Sequence, residues 1–326
     1  KMPEYMVFES ELMQWVKQTI IDTPFVISDK GKVEMPEQLK TMKIQIGDGV
    51  YKLGIGGLHS TEKATSHFTD ELYSVEEIDV ESYYPRTIIN QKLEPENMVG
   101  NFRPIYNDIV ETRLAAKHRG DKVIADSLKI VINGSFGKFG SPYSILYSPN
   151  LLIQTTITGQ LALLKLIETF EMRGISVVSA NTDGIVVKKP LHRYKEVNDL
   201  VTKWEQDCGY KMEHTKYRSI HSRDVNNYIA IKLDGKTKVK GALGYAGLSK
   251  NPTCEVCIDA VTAYLVNGTP LESTISTCTN IQKFVAVRNV TGGAYKDGEY
   301  YGKAIRWYYS NEVEGTIIYA SSGKKV

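Results

Sequence analysis

The sequence predicts an α+β fold built on an antiparallel sheet, and three observations carry this prediction. Residues 75–80 have the composition of a short strand that ends beside an acid. Residues 175–188 consist of two apolar, β-branched runs around a turn, which is the pattern of a hairpin. Residues 104–117, 122–133 and 151–173 have helical patterns. Strands mixed with amphipathic helices in this way are typical of an α+β protein.

The N-terminal 70 residues contain one predicted helix and one predicted hairpin. Residues 10–19 repeat apolar side chains at helical spacing, and residues 43–53 alternate apolar and polar side chains around Gly47-Asp48-Gly49. The glycine-rich stretch Gly54–Ser60 follows. A plain turn explains this stretch as well as a phosphate-binding loop does.

The strand at residues 75–80 leads into Asp79-Val-Glu-Ser-Tyr-Tyr-Pro85. Because proline disfavours the helical conformation in the residue before it, we expect Tyr84 not to be helical and the Ser82-Tyr-Tyr-Pro85 stretch to turn. A carboxylate beside a turn of backbone amides suits a polyphosphate bound to a hard cation. The alternative is an aspartate that caps the next helix, and this stretch alone favours that alternative.

Two successive helices carry cations. Arg113 and Lys117 are four residues apart and therefore share a face of the first helix. Asp121 can cap the second helix, on which Lys129 and Asn133 share a face. Two antiparallel helices with these cations turned inward would clamp a triphosphate. The alternative is a solvated basic surface.

The predicted hairpin turns at Asn181-Thr182-Asp183-Gly184. Asp183 at this turn could leave the sheet to bind a ligand, or it could simply form the turn. The long helix at 151–173 is predicted to pack under the sheet, and residues 193–208 form another amphipathic helix. Beyond residue 245, helices are followed by tyrosine-rich strands.

Three of these stretches, in this order, resemble the polymerase motifs of the family B DNA polymerases. The family patterns are D-x-x-S-L-Y-P, K-x-x-x-N-S-x-Y-G and Y-G-D-T-D-S. The matching residues are Asp79, Ser82, Tyr84 and Pro85 in the first, Lys129, Asn133 and Gly137 in the second, and Thr182 and Asp183 in the third. Gly56-Gly57 resembles the Gly-Gly element that precedes these motifs and contacts the template.

The sequence also departs from the family patterns. The departures are Tyr83 for Leu, Gly134 for Ser, Phe136 for Tyr, Asn181 for the first Asp of the third motif, and Gly184 for its Ser. The second Asp of that motif is the family's metal ligand, and it is present as Asp183. The Asn181 change therefore affects the fine tuning of the site and not metal binding. The Phe136 change affects the fidelity of synthesis.

The resemblance implies a right-hand polymerase with an antiparallel palm sheet, short helical fingers and a C-terminal thumb. The implied parts are an N-terminal region with the Gly-Gly loop at 1–70, palm at 71–100 and 143–244, fingers at 101–142, and thumb at 245–326. The implied catalytic residues are Asp79, Asp183 and Lys129. Asp79, Asp183 and the carbonyl of Val80 would hold two Mg²⁺ ions, with Mn²⁺ as an alternative.

The resemblance also implies the residues that bind the substrates. The nucleotide-binding residues are Ser82, Tyr83, Tyr84, Arg113, Lys117, Lys129 and Asn133. The DNA-binding residues are Gly56, Gly57, Phe136, Gly137, Tyr228, Lys238 and Lys240. Tyr84 would pack beneath the incoming sugar and exclude a 2′-hydroxyl.

The implied function is template-directed DNA synthesis, in which deoxynucleotides are added to a primer 3′-hydroxyl by two-metal nucleotidyl transfer. Two alternatives stay open. One is a weak or inactive polymerase-like DNA-binding module. The other is a reverse transcriptase-like or RNA polymerase, against which Tyr84 and the Lys129–Asn133 spacing argue. The short gaps between motifs predict ordinary primers.

Composition adds bounds to this interpretation. The chain has 326 residues, 42% hydrophobic and 24% charged, with a net charge of +2. Residues 185–250 carry 14 basic and 7 acidic side chains, a basic stretch suited to a phosphate backbone. No apolar run is long enough to cross a bilayer. We expect no membrane partner, and a cytoplasmic location, in a bacterial host if the protein is phage-type.

The chain starts at Lys1, not Met, which suggests a fragment. Residues 1–70 hold no Asp-x-Glu pair, so no proofreading exonuclease is expected in this chain. An upstream exonuclease domain or a processivity factor could accompany it. The expected partners are primer-template DNA and dNTPs, and the expected state is a monomer.

Overall fold

A computed structural model describes residues 2–247, 250–312 and 314–325. The chain divides into two compact units, the first ending at Asn226 and the second beginning at Asn227. Both combine helices with antiparallel strands. The predicted α+β class is therefore confirmed. No helix within the described ranges is both long enough and apolar enough to span a membrane.

In the first unit the helices and strands follow one another in this order: α1 (Glu11–Asp22), β1 (Val26–Ile27), β2 (Val33–Glu34), α2 (Glu37–Thr41), β3 (Ile44–Ile46), β4 (Gly49–Lys52), β5 (His59–Ser60), β6 (Thr65–Phe68), β7 (Tyr73–Val80), α3 (Tyr83–Asn90), α4 (Phe102–His118), α5 (Lys122–Phe139), α6 (Pro149–Glu171), β8 (Ser176–Asn181), β9 (Gly184–Pro190), α7 (Tyr194–Cys208) and β10 (Met212–Asp224).

The main sheet of the first unit has the strand order β10-β7-β9-β8-β5-β4-β3, and β6 also pairs with β10. The pairs are antiparallel. In the register of β7, Asp79 lies opposite Gly184 of β9 on one side and Glu213 of β10 on the other. On the central strand β7, Asp79 therefore lies between two residues that are more than 100 positions away in the sequence.

Helix α6 packs against this sheet, as predicted. Leu161, Leu164 and Ile167 are fully buried in the same core cluster as Ile78 and Val187 of the sheet. A second apolar cluster joins α4, α5 and the start of α6 through residues such as Tyr106, Ile132 and Leu152. The first core supports the sheet, and the second fixes the helix pair.

Local sequence signals explain where several helices begin. Ser10 caps α1 by accepting a hydrogen bond from the Met13 amide at 3.3 Å. Asp121 caps α5, as predicted, by accepting from the Ile124 amide at 3.2 Å. Helix α5 runs on to Phe139, beyond the predicted end at 133, because Phe139 is buried in the second core cluster and Phe136 packs against that cluster.

The predicted turn within Ser82–Pro85 is present, but the expectation that Tyr84 is not helical is wrong. The chain turns at Ser82, whose φ is 51°, and α3 begins at Tyr83 with Pro85 as its third residue. The first amides of a helix have no acceptor within the helix, so a proline there removes no hydrogen bond. Burial of the Tyr83 side chain holds this early helical conformation.

The second unit has its own small elements. They are β11 (Asn227–Lys232), β12 (Thr237–Lys240), α8 (Glu255–Asn267), α9 (Leu271–Thr277), β13 (Ala286–Asn289), β14 (Ala294–Lys296), β15 (Glu299–Tyr300), β16 (Ala304–Trp307) and β17 (Ile317–Tyr319). Strands β11 and β12 form a hairpin, β13 pairs with β16, and β14 pairs with β15 and β17. Helices followed by tyrosine-rich strands are what the sequence predicts here.

Candidate active site

A cleft of about 500 Å³ lies where β7 ends, between the sheet and the helix pair α4–α5. It is lined by residues from all three motif stretches. The predicted site residues among them are Asp79, Val80, Ser82, Tyr83, Tyr84, Arg113, Lys117, Lys129, Asn133, Phe136 and Asp183. Residues that are more than 100 positions apart in sequence thus share one cavity.

Two carboxylates stand at the sheet side of this cleft. Asp79 is the second-last residue of β7, and Asp183 lies in the turn between β8 and β9. The Val80 amide donates a hydrogen bond to the Asp183 carbonyl at 2.8 Å, which ties the strand end to the turn. Thr182, in the left-handed region with φ 50°, donates its amide to the Leu58 carbonyl at 2.7 Å. Both carboxylates therefore stand on fixed backbone.

Gly184 leaves room for the Asp79 carboxylate. A Cβ built at Gly184 would lie 1.8 Å from Asp79 Oδ1 and 2.9 Å from the Ile78 carbonyl oxygen. Neither distance is compatible with a side chain. The glycine that replaces serine in the third motif is thus required by the position of Asp79 in this structure.

The Asn181 side chain donates a hydrogen bond that an aspartate could not donate. Its Nδ2 donates to the Val225 carbonyl at 2.9 Å, joining the β8–β9 turn to the end of β10. An ionised carboxylate only accepts hydrogen bonds, so an aspartate would face this carbonyl oxygen without a donor. The second departure in the third motif therefore stabilises the turn that carries Asp183.

The donor atoms of this site are those that Mg²⁺ prefers. Asp79 and Asp183 offer hard carboxylate oxygens, and Mg²⁺ in phosphate-processing sites is bound by one or two carboxylates together with substrate phosphates and water. Within the described ranges, no three His, Cys, Asp or Glu side chains form a group that could enclose a metal by themselves. The donor set fits a cation whose coordination is completed by a bound polyphosphate.

The turn at Ser82 is held by an arginine from α4. Arg113 Nη1 donates to Ser82 Oγ at 2.5 Å. Arg113 Nε is buried and has no hydrogen-bond partner in the part of the chain described. A buried guanidinium with a donor left over beside a turn of backbone amides is suited to an anionic ligand.

Lys117, one turn further along α4, is paired with Glu213 of β10 and with Glu81, which follows β7. Its Nζ donates to Glu213 and lies 3.6 Å from Glu81 Oε1. His118 Nε2 lies 3.1 Å from the same Glu81 oxygen. Both carboxylates line the cleft. The cation predicted to bind triphosphate is thus paired with carboxylates in this structure.

The sequence prediction missed Glu213, Glu81 and Asp126 as residues of the cleft. Glu213 reaches it because β10 places this residue opposite Asp79, a register that local sequence does not encode. Asp126 lies one turn before Lys129 on α5, so its spacing to Lys129 could have indicated it. Glu81 could have been noticed because it is two residues from Asp79.

Tyr84 is held at the centre of the cleft. Its ring stacks on Phe136 with centroids 4.7 Å apart, and its hydroxyl donates to the Gly56 carbonyl at 2.8 Å. Burial, and then the nearby charge of Asp183, raise the pKa of the Tyr84 hydroxyl. Tyr83 is buried and donates its hydroxyl to the Gly159 carbonyl, so its side chain faces the interior.

The other predicted nucleotide contacts lie on α5. Lys129 and Asn133 are exposed there and line the cleft on one face of the helix. Within the described ranges no carboxylate pairs with Lys129, in contrast to Lys117. Lys129 is therefore a cation whose charge is available to a ligand.

The predicted DNA contacts are spread more widely. Gly57 is buried and Gly56 exposed in the loop between β4 and β5, and Gly137 is exposed on α5 outside the cleft lining. Tyr228 lies on β11 opposite Lys240 of β12, and Lys238 is on the same hairpin of the second unit. DNA binding by these residues stays a prediction.

Similarity to known proteins covers part of this chain. No protein-family model matches it. DNA polymerase 1 of Aeropyrum pernix is 31% identical over 160 residues, which cover 43% of this chain and 16% of that protein. DNA polymerase 1 of Sulfolobus acidocaldarius is 25% identical over 123 residues, which cover 37% of this chain and 14% of that protein. These relatives are archaeal, and the phage-type origin stays a prediction.

Among solved structures, the family B DNA polymerase from Pyrobaculum calidifontis aligns with a TM-score of 0.47 at 16% identity. The alignment covers 70% of this chain and 37% of that chain. The present chain thus spans a small part of the curated relatives that it matches. The sequence matches show that part of this chain is similar to archaeal DNA polymerases, and the three motifs in their order resemble those of the family B DNA polymerases.

Proposed function

We propose that this chain carries the polymerase site of a DNA-directed DNA polymerase. The observation that carries the proposal is the cleft itself, in which two carboxylates on the sheet face cations on a helix pair. Acids on one side bind cations, and cations on the other bind phosphate. A nucleotidyl transfer site needs both within the span of one triphosphate.

In this proposal the right-hand parts follow the predicted boundaries. Strands β7 to β10 with α6 are the palm, within residues 71–100 and 143–244, and the pair α4–α5 is the fingers, within 101–142. Strands β3 to β6 pair into the same sheet, although they lie within the predicted N-terminal region, residues 1–70. Residues 245–326 form the thumb. The antiparallel sheet beneath the cleft and the α4–α5 pair above it support the first two assignments.

Asp79 and Asp183, with the Val80 carbonyl, would hold two Mg²⁺ ions. When bound, such ions lower the pKa of a primer 3′-hydroxyl and stabilise charge on a leaving pyrophosphate. The protein's share is to keep both carboxylates in place, and the Val80–Asp183 hydrogen bond and the space at Gly184 do this.

The helix pair would bind the triphosphate of the incoming dNTP. Lys129 is available for this role, and the spare donor of Arg113 lies beside the Ser82 turn. The amides of Ser82 and Tyr83 would contact phosphate oxygens. Lys117 would join them once a competing anion replaces its carboxylate partners.

The remaining residues would position DNA and select the sugar. Tyr84, stacked on Phe136, would lie beneath the sugar and clash with a 2′-hydroxyl. Phe136 and Gly137 would lie along the nascent base pair, and Gly56-Gly57 near the template. Tyr228, Lys238 and Lys240 would contact the primer, which the basic composition of residues 185–250 supports.

Primer extension with Asp79→Asn and Asp183→Asn tests the proposal. Each change keeps the side-chain shape and removes a metal ligand's charge, so extension should fall about 10³-fold or more, equivalent to several kcal/mol. Binding of primer-template should persist, because phosphate contacts dominate affinity. Asp199→Asn, an exposed site on α7 outside the cleft, is the matched control.

The same assay separates the alternatives when it is run on DNA and RNA templates with each nucleotide type. Extension confined to DNA templates and dNTPs supports the proposal. Preference for an RNA template would indicate a reverse transcriptase, and DNA binding without extension would indicate an inactive module. Near-normal turnover in either aspartate variant would place the metal site elsewhere.

A further inference from the structure

The loop that carries the Gly-Gly element is held by hydrogen bonds to helix α6 and within itself. The Gly54 amide donates to Gln160 Oε1, and Gln160 Nε2 donates back to the Gly54 carbonyl, both at 2.9 Å. Gln160 is fully buried on α6. The Gly57 amide closes the loop by donating to the Gly54 carbonyl at 3.3 Å. A side-chain amide in the core thus fixes this loop to the longest helix.

The same loop contacts the ring proposed to select the sugar. The Gly56 carbonyl accepts the Tyr84 hydroxyl at 2.8 Å. A Cβ at Gly57, where φ is 146°, would lie 2.8 Å from that hydroxyl oxygen and 2.8 Å from Thr182 Cγ2. Gly57 is therefore needed for the loop to approach both Tyr84 and the turn beside Asp183.

Two further neighbours of the Tyr84 ring are Phe136 and helix α6. Phe136 stacks on it with an interplanar angle of 28°. A Cβ at Gly159, the residue before Gln160, would lie 3.2 Å from Tyr84 Cε1. Helix α6 therefore restricts the movement of the ring in two ways. It approaches the ring directly at Gly159, and it holds the loop whose Gly56 carbonyl accepts the ring hydroxyl.

We infer that residues 54–57, pinned by Gln160, position the Tyr84 ring and so set the discrimination between deoxynucleotides and ribonucleotides. This inference rests on the proposed function. A steric barrier is only as strong as the rigidity of the group that forms it. A ring whose hydroxyl is released from Gly56 can tilt away from an entering 2′-hydroxyl. Gly56 acts here through its carbonyl, as a positioning residue.

Tyr84→Phe tests the inference, because it keeps the ring and removes only the hydroxyl. The ratio of kcat/KM for a dNTP over the matching NTP should fall about three- to tenfold, the range expected for one neutral hydrogen bond. The change should come mainly from a lower KM for the NTP. A general structural defect would lower both efficiencies and leave their ratio constant.

Tyr147→Phe is the matched control. It also removes a tyrosine hydroxyl that donates to a glycine carbonyl, Gly31, at 2.7 Å, and it lies outside the cleft. Its nucleotide ratio should equal that of the unmodified protein.

A glycine pair provides a second, independent measurement. Gly57→Ala forces the loop away from Tyr84, whereas a Cβ at Gly56 meets no atom within 4 Å. Gly57→Ala should lower the ratio, and Gly56→Ala should not. In the Tyr84→Phe background the effect of Gly57→Ala on the ratio should largely disappear, because the two changes act through one contact.

The outcomes are distinguishable. If the unmodified chain extends no primer, the proposed function fails and this inference fails with it. If the chain extends primers but Tyr84→Phe keeps the unmodified ratio, the inference alone fails. Equal effects of Gly56→Ala and Gly57→Ala on the ratio would also overturn it, since they would indicate a general loop contact with DNA.

Discussion

Gly184→Ser should nearly abolish primer extension, although it restores the residue of the family motif. The structure gives the reason in distances. Asp79 Oδ1 lies 1.8 Å from the site of a Cβ at residue 184, and an ordinary contact begins at 3.4 Å. The carboxylate must therefore recede by about 1.6 Å. Rotation of Asp79 alone does not suffice, because the Ile78 carbonyl oxygen is also too close, at 2.9 Å.

The expected magnitude follows from this displacement. A reacting group misplaced by about 1 Å can lose about 10²-fold in rate. A shift of about 1.6 Å in a proposed metal ligand should therefore lower kcat by about 10²-fold or more. Primer-template affinity should change little, since residue 184 is buried within the sheet.

The assay is single-turnover primer extension with saturating dNTP, with primer-template affinity measured separately. Gly134→Ser is the matched control, because it also restores a family serine and its Cβ would meet no atom within 4 Å. Gly134→Ser should extend primers at close to the unmodified rate. If Gly184→Ser keeps a rate within a few-fold of that control, the position of Asp79 does not limit catalysis and the reasoning fails.

Four further predictions concern charges. In steady-state kinetics, Lys129→Ala should raise the KM for dNTP and lower kcat together, because the lost charge acts on both the ground state and the transition state. A change confined to the affinity for DNA would contradict this. Glu213→Gln should lower the KM for dNTP about two- to fivefold by releasing Lys117, the range expected for a partly exposed ion pair; an unchanged KM would show that this pair does not compete with the nucleotide. Lys189→Met should lower the free energy of unfolding by about 3–5 kcal/mol, because it removes the buried cation that lies 3.1 Å from the fully buried Glu76. Burial opposes ionisation of Glu76, but His214 and Lys189 outweigh it and lower the pKa of the carboxyl to about 2. The ionised Glu76 should therefore make its full contribution to the free energy of unfolding above about pH 4.5. This contribution, about 3 kcal/mol, should be lost as the pH falls towards 2. Urea unfolding across this range, with Glu76→Gln as reference, measures it, and parallel curves for the two proteins would contradict it.

The sequence predicted the parts of the fold that depend on local patterns. The hairpin that carries Asp183, the cap at Asp121 and the apolar side of α6 all formed where composition and spacing indicated. The turn formed within Ser82–Pro85 as predicted, but Tyr84 is helical, contrary to expectation. The conformational preference of the residue before a proline is weak, and burial of Tyr83 outweighed it.

The sequence by itself determined which chemical groups are available and in what order they occur. The motif spacings of Asp79, Lys129 and Asp183 were sufficient to predict a polymerase-like site. The sequence matches to archaeal DNA polymerases agree with this prediction.

Only the tertiary structure decided how these groups constrain one another. It placed Glu213 opposite Asp79, paired Lys117 with Glu213, left Gly184 as the space for the Asp79 carboxylate, and joined Tyr84 to Gly56. These relations depend on strand register and on contacts between distant segments. A shift of one residue in register would turn every side chain of a strand to its other face, and no local periodicity specifies which partner a strand residue meets.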